Sequence, residues 1–222
     1  VFDLSRLFLS RNAAFIGMDI GRHAVRMVEL SRRKTGVFVL RGYGSEHLAE
    51  GAVTDDGIDD LEHVMNAASR LWERSAFKAR KVAIGIPPAA VTERTFHAGR
   101  GQPDARLEAL AKEHIAPLLD YHVTDACIDF CVLEAASQLA GQVEVLVAAT
   151  RRENVEDRLA VAEFLKLHAI VAEAESHAAH VAGGRANPFS DMVLAAGIDA
   201  GQLQAEGSNY LVACGLALRG FD

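Results

Sequence analysis

At 222 residues, half of them hydrophobic, the chain is long enough for one large domain or two small ones built on a real core. A net charge of −7 excludes the basic surface of a generic nucleic-acid binder. No run approaches the ~20 apolar residues of a membrane-spanning helix, no signal peptide is expected, and three cysteines (Cys127, Cys131, Cys214) without a C-x-x-C pair fit buried thiols in a reducing, cytoplasmic setting.

Residues 1–10, VFDLSRLFLS, place Val1, Leu4, Leu7 and Phe8 on one helical face, which suits a membrane surface or an apolar patch on a neighbour. Apolar, β-rich runs at 15–20 and 25–31 are broken at Gly21, and GVFVLRGYG at 36–44 adds a third strand, so a meander is expected. Arg22, Arg26, Arg32, Arg33, Lys34 and Arg41 form a weakly basic cluster on these strands and turns. It suits an acidic ligand or simply a solvated edge. Asp59 or Asp60 is placed to cap a helix near 60–76 with Val64, Ala68 and Leu71 on one face.

A second β-β-α-β-β-α unit spans 80–168. VAIGIP (82–87) is a buried-strand run, VTERTFHA (91–98) alternates as a half-exposed strand, and 104–115 is helical. CIDFCVLEA and QVEVLVAAT are two more strands joined by a hairpin loop, and a helix follows over 154–167. AIVAEAES gives a strand leading into a helix at 176–182. GGRANPFSDM is a breaker-rich linker, and the chain ends in a helix with the small residues Ala213, Gly215 and Ala217 on closely packed faces.

Chemistry read from residue types is sparse. Asp55, Asp56, Asp59 and Asp60 precede a helix, where acids cap N–H groups and oppose the dipole, a structural role rather than a catalytic one. His177 and His180, with Glu173 and Glu175, have metal-like spacing but lack a clear third ligand. Cys127 and Cys131 lie four apart on a strand, too far apart for one ion. No P-loop, G-x-S-x-G or Cys/His nucleophile pair is present.

Six segments carry a resemblance: GMDIGRHAVRMVELSR (17–32), EGAVTDDG (50–57), KVAIGIPPAAVTERTF (81–96), IDFCVL (128–133), VEVLVAATRRENVEDR (143–158) and LVACGLALRGFD (211–222). Together they resemble the bacterial actin-like proteins of the FtsA/PilM superfamily, with wording closer to the PilM family of the type IV pilus machine. The resemblance covers 15–182 and 188–222. It implies an α/β fold of mixed sheets with flanking helices, the first half of an actin-like (ribonuclease-H-like) ATPase fold. Residues 1–79 and 169–222 would form the core subdomain and 80–168 an inserted SHS2-type module. The join at 183–188 stands where such proteins carry a second half.

Intact family members bind ATP and Mg through a hairpin after the first strand. Asp19 and Gly21 occupy the matching positions, and Arg22 follows where the family commonly places a hydroxyl residue. With half of the cleft missing, no cofactor is expected here and no catalytic or metal-binding residue is assigned. The resemblance further implies an adaptor at the inner face of the inner membrane, binding the N-terminal cytoplasmic tail of a PilN-like protein in a groove between core and module, beside other pilus inner-membrane proteins. Self-association through the bared face is a further expectation. The competing readings are a nucleotide-gated switch or weak ATPase and an FtsA-like division protein.

Overall fold

A computed structural model describes residues 14–133, 141–183 and 187–221. The segment 1–10, most of the loop between the CIDFCVLEA and QVEVLVAAT strands, and the centre of the join lie outside the described residues. Two sheets organise the rest.

The larger sheet has the order β8-β4-β1-β2-β3-β9. β1 (Phe15–Ile20), β2 (Ala24–Arg32) and β3 (Phe38–His47) form the expected antiparallel meander. β4 (Lys81–Ile86) runs parallel to β1, and β8 (His168–Ala174) runs parallel to β4 at the edge. All six residues of β1 are buried, because helices cover both faces of the sheet. On one face lie α1 (Leu61–Arg74) and α3 (Arg152–Phe164), closing a core that includes Met18, Met27, Leu71, Ile84 and Val161. Asp60 caps α1, its carboxylate accepting from the His63 N–H at 2.9 Å.

The other face is covered by α4 (Glu175–Val181), α5 (Ala200–Glu206) and α6 (Leu211–Arg219). Here the small residues read from the sequence set the geometry. A Cβ on Gly17 would stand 1.9 Å from the Ala213 carbonyl oxygen, and one on Gly215 would stand 1.8 Å from that of Ala178. Strand β1, helix α6 and helix α4 therefore pack backbone against backbone. Cys214 lies fully buried in this layer, where burial pushes its thiol up to about 12, so it acts as a small hydrophobe.

The smaller sheet has the order β5-β7-β6, all antiparallel: β5 (Thr92–Gly99), β6 (Ala126–Leu133) and β7 (Gln142–Arg151). Helix α2 (Asp104–Ile115) covers one face, burying Leu107, Ala111 and Ile115 against Phe96, Val145 and Val147.

Three differences from the sequence reading matter. The run 81–86, expected in the 80–168 unit, pairs between β1 and β8; Val82, Ala83 and Ile84 are fully buried, which suits an inner strand of a sheet covered on both faces. Helix α3, placed in the same unit, packs Val161, Ala162 and Leu165 into the large-sheet core. The tract after the join also holds two elements that its sequence pattern does not announce. β9 (Val193–Leu194) pairs β3 and is too short to show a period, while α5 is polar enough to pass for a loop and is fixed by Asp199, which accepts from the Gly201 and Gln202 N–H groups.

Candidate functional site

Two places gather chemistry. The first is the carboxyl end of β1 and the turn that follows it. Asp19 stands opposite Arg26 across the hairpin and is 5% exposed, with its Oδ2 3.4 Å from the Arg26 Nη1. Burial is the main cause of a raised Asp19 pKa, opposed by Arg26 and then Arg158. The Gly21 N–H is spent closing the turn to the Ala24 carbonyl at 3.1 Å. Space does not demand a glycine there, since a Cβ would meet nothing nearer than the Arg26 Nη1 at 3.5 Å. Arg22 reaches outward and holds both carboxylate oxygens of Asp55 at 2.9 Å in an exposed pair. The structure thus splits the three residues: Asp19 turns inward, Gly21 closes the turn and Arg22 ties the turn to the 50–57 segment.

Behind Asp19 lies a charge cluster. Arg158 of α3 is 0% exposed; its Nη1 donates to the Asn154 carbonyl at 3.0 Å, and its Nε and Nη2 have no hydrogen-bond partner among the described residues. Glu175, where β8 turns into α4, likewise keeps a buried, unpartnered Oε1. Burial pushes the Glu175 carboxyl up to about 7, with Asp19 adding to the push and Arg158 and Arg26 opposing it. Two carboxylates and two guanidiniums therefore meet at the strand ends.

The sign of the resulting pH dependence follows from linkage. A folded pKa near 7 lies above the ordinary 4.5 of this group, so the unfolded chain releases the proton first. Stability is fully present below about pH 4.5 and falls as pH rises towards 7; Asp19 acts in the same direction. At 1.36 kcal/mol per pKa unit the Glu175 share is roughly 3 kcal/mol. Urea midpoints measured across that window are expected to drop with rising pH, and Glu175→Gln is expected to flatten the slope.

The second place is a groove of about 480 Å³ between the two sheets. One wall is the face of the smaller sheet turned away from α2. Strand alternation puts Cys127, Asp129, Cys131 and Leu133 of β6 there, beside Leu146, Ala148 and Thr150 of β7. The other wall is the end of the larger sheet: Ile86 of β4, Ala172 and Ala174 of edge strand β8, and His177 in the first turn of α4. Glu173 anchors this corner. It is buried, with Oε1 2.6 Å from the His177 Nδ1 and 2.9 Å from the Arg219 Nε. The His177, His180, Glu173 and Glu175 combination is therefore divided between two environments. Among the described residues no three His, Cys, Asp or Glu are placed to hold one ion.

Residues 17–186 match the family model for type IV pilus assembly protein PilM. The chain belongs to the PilM family. Its fold is also that of a solved chain from a PilM-PilN type IV pilus biogenesis complex, at a TM-score of 0.80 and 15% identity over 93% of this chain and 98% of that one. Weaker likenesses run to the cytoplasmic domain of EpsL, an inner membrane component of the Vibrio cholerae type II secretion system (TM-score 0.46, 13% identity, 75% of this chain and 59% of that one). A Bacteroides thetaiotaomicron protein with an actin-like ATPase fold and unknown function is also similar (TM-score 0.36, 9% identity, 76% and 54% coverage). Among the described residues no helix is long and apolar enough to cross a membrane.

For this PilM-family chain, the sequence reading missed Arg158 and the pairing of Glu175 with Asp19. A signal existed. Val155, Arg158, Val161, Ala162 and Leu165 recur at helical spacing, so a charged residue interrupts an otherwise apolar stripe. A buried charge needs a counter-charge nearby.

Proposed function

We propose that this chain is an adaptor of the type IV pilus inner-membrane assembly, docking the N-terminal cytoplasmic tail of a PilN-like protein in the groove and performing no chemistry. The observation that carries the reading is the groove itself: an open, mostly apolar channel with both walls built from described elements and edge strand β8 along one side. An extended tail can pair with such an edge through its backbone while its side chains enter the channel. Through that partner the chain would sit at the inner face of the membrane beside other pilus proteins. The larger sheet with its helices would act as the core subdomain and the smaller sheet with α2 as the inserted SHS2-type contact module.

A nucleotide-gated switch is the second reading, favoured by Asp19 at the hairpin. The local donor set argues against Mg-ATP. Arg26 and Arg158 already supply positive charge to Asp19 and Glu175, the Gly21 N–H is spent within its own turn, and Arg22 is bound to Asp55. Self-association has weaker support: the exposed large apolar residues among those described are Val37, Leu118, Val132 and Phe164, which come from four separate stretches of the chain. Size-exclusion chromatography at high concentration is expected to return a monomer.

The groove is tested by filling it. Ala148 is half-buried on the channel face of β7, so tryptophan there projects into the channel without entering the α2 core. Ala148→Trp is expected to keep the parental melting temperature and to weaken the tail by about thirtyfold or more, as loss of a central hot spot does. Unchanged tail affinity in a folded Ala148→Trp protein would place the docking site elsewhere.

A further inference from the structure

The basic residues of the first strands divide between the two ends of the larger sheet. Arg22 and Arg26 lie at the end where β1 finishes, and carboxylates meet both, those of Asp55 and Asp19. Arg32, Arg33 and Lys34 lie at the opposite end, in and beside the turn from β2 to β3. Strands β1, β4 and β8 all begin at that end, because β1 pairs β2 antiparallel, β4 runs parallel to β1, and β8 runs parallel to β4. The segment entering β4 brings exposed Lys78 and Arg80, and the segment entering β8 brings exposed Lys166. Neighbouring strands stand ~4.8 Å apart, so this basic face runs roughly 20 Å from β8 to β3.

Little in the chain neutralises this face. The segments 31–38, 77–82 and 163–168 hold a single acid, Glu163, and Asp191, just before β9, is engaged within the chain. Among the described residues no carboxylate pairs with the side chain of Arg33, Lys34, Lys78 or Lys166. Arg32 and Arg80 lie over the Phe38 and Trp72 rings, contacts that leave both guanidiniums charged, and both residues are exposed. The hairpin tip is fixed: the Arg33 N–H donates to the Val37 carbonyl at 2.9 Å, and Gly36 takes the left-handed corner at φ 88. Apolar groups accompany the bases. Val37 follows Lys34 in the turn and is 40% exposed, and Phe164 precedes Lys166 and is 50% exposed. Lys166 itself is unusual. Helix α3 ends in a Schellman turn, the Leu167 N–H donating to the Ala162 carbonyl at 2.9 Å and the Lys166 N–H to that of Glu163 at 2.8 Å. Glycine ordinarily holds the left-handed corner of such a turn, yet Lys166 stands there at φ 56. A charged side chain is thus kept where the backbone favours none.

We propose that this end of the larger sheet is a contact surface for anionic lipid headgroups, with Val37 and Phe164 entering the interface beside the bases. A chain of net charge −7 repels a polyanion that wraps it, whereas a planar anionic surface meets one face only and orients the molecule by its positive end. The chain also enters β1 at this end. The sequence that precedes β1 carries Arg6 and Arg11 among the apolar Val1, Leu4, Leu7 and Phe8, a composition suited to the same surface. The contact is separate from whatever fills the groove, which opens at the carboxyl ends of β4 and β8. The six residues of β4 set the two places about 20 Å apart, at ~3.3 Å per residue. A tail docked in the groove reaches the same membrane through a comparable length of extended chain.

The test is co-sedimentation of the full chain, with no tail peptide present, on two kinds of vesicle. One is phosphatidylethanolamine with about 30% phosphatidylglycerol, and the other is phosphatidylcholine alone. Binding is expected on the anionic vesicles only, and its loss is expected as salt approaches about 1 M, where the screening length is ~3 Å. Replacing both Arg33→Gln and Lys34→Gln changes only exposed residues of the turn, so melting is expected to be unchanged while partitioning onto anionic vesicles weakens by about thirtyfold. Lys166→Gly separates charge from structure. Its melting temperature is expected to hold or rise, because glycine suits the corner, while partitioning weakens by about fivefold. The proposal is overturned if the protein pellets equally with both vesicles or with neither. It is also overturned if the folded Arg33/Lys34 and Lys166 variants bind anionic vesicles as tightly as the unmodified protein, which would assign the contact to another part of the chain.

Discussion

Gly215→Val is expected to leave the protein unable to reach its native state at moderate temperature. The first atom of any side chain at this position would stand 1.8 Å from the Ala178 carbonyl oxygen and 2.4 Å from its carbon, both backbone atoms of α4. Neither can swing aside as a side chain would, so α4 and α6 must separate, and the same movement disturbs α6 on β1, where Gly17 meets Ala213 equally closely. Overpacking against side chains costs about 1–3 kcal/mol, and a backbone collision lies beyond that, at roughly 4 kcal/mol or more. At about 2–4 °C per kcal/mol for a chain of this size, the melting temperature falls by ~10 °C or more. Gly21→Ala is the control. Its Cβ would make only ordinary van der Waals contacts, the nearest with the Arg26 Nη1 at 3.5 Å, so near-parental melting is expected, and a comparable loss in both variants would mean that the α4–α6–β1 layer is looser than described.

The second large effect is expected at Arg158. Arg158→Ala removes the largest fully buried side chain on α3, leaving both a cavity and two carboxylates with less counter-charge. Breaking a buried charge arrangement by deleting one partner costs about 3–5 kcal/mol. Arg158→Met separates the two contributions, because it keeps most of the volume and discards the charge. If charge dominates, both variants lose stability near neutral pH and regain part of it in acid, where Glu175 and Asp19 take up protons. If packing dominates, methionine is tolerated and the alanine loss is independent of pH. The two unpartnered guanidinium nitrogens work against the native arginine, yet the measured sum should still favour it, since two buried acids face it. Chemical denaturation at two pH values decides the matter.

Much of the fold was legible in the sequence because its signals are local. The meander shows as apolar β-rich runs punctuated at Gly21 and at 32–35, α2 as an unbroken helical pattern from Asp104 to Ile115, and the close helix packing as the small residues Ala213, Gly215 and Ala217. What stayed hidden depends on partners distant in the chain. Nothing within 81–86 says whether that strand joins the sheet before it or the one after it; the decision lies in its pairing with β1 and β8. The site divides in the same way. Asp19 and Gly21 could be named from the hairpin, whereas Arg158 meets Asp19 only after α3 has packed beneath the larger sheet. The basic face joins three connecting segments at one end of the larger sheet, and no single segment contains it.

The central claim is that the channel between the sheets, and not the hairpin turn, is the working site. Calorimetric titration of the PilN-like tail into this protein, with and without Mg-ATP, tests it most directly. The account predicts saturable tail binding of equal affinity in both conditions and no saturable heat from Mg-ATP alone at sub-millimolar concentration. Saturation by Mg-ATP, with tail binding that appears only once nucleotide is present, would contradict it.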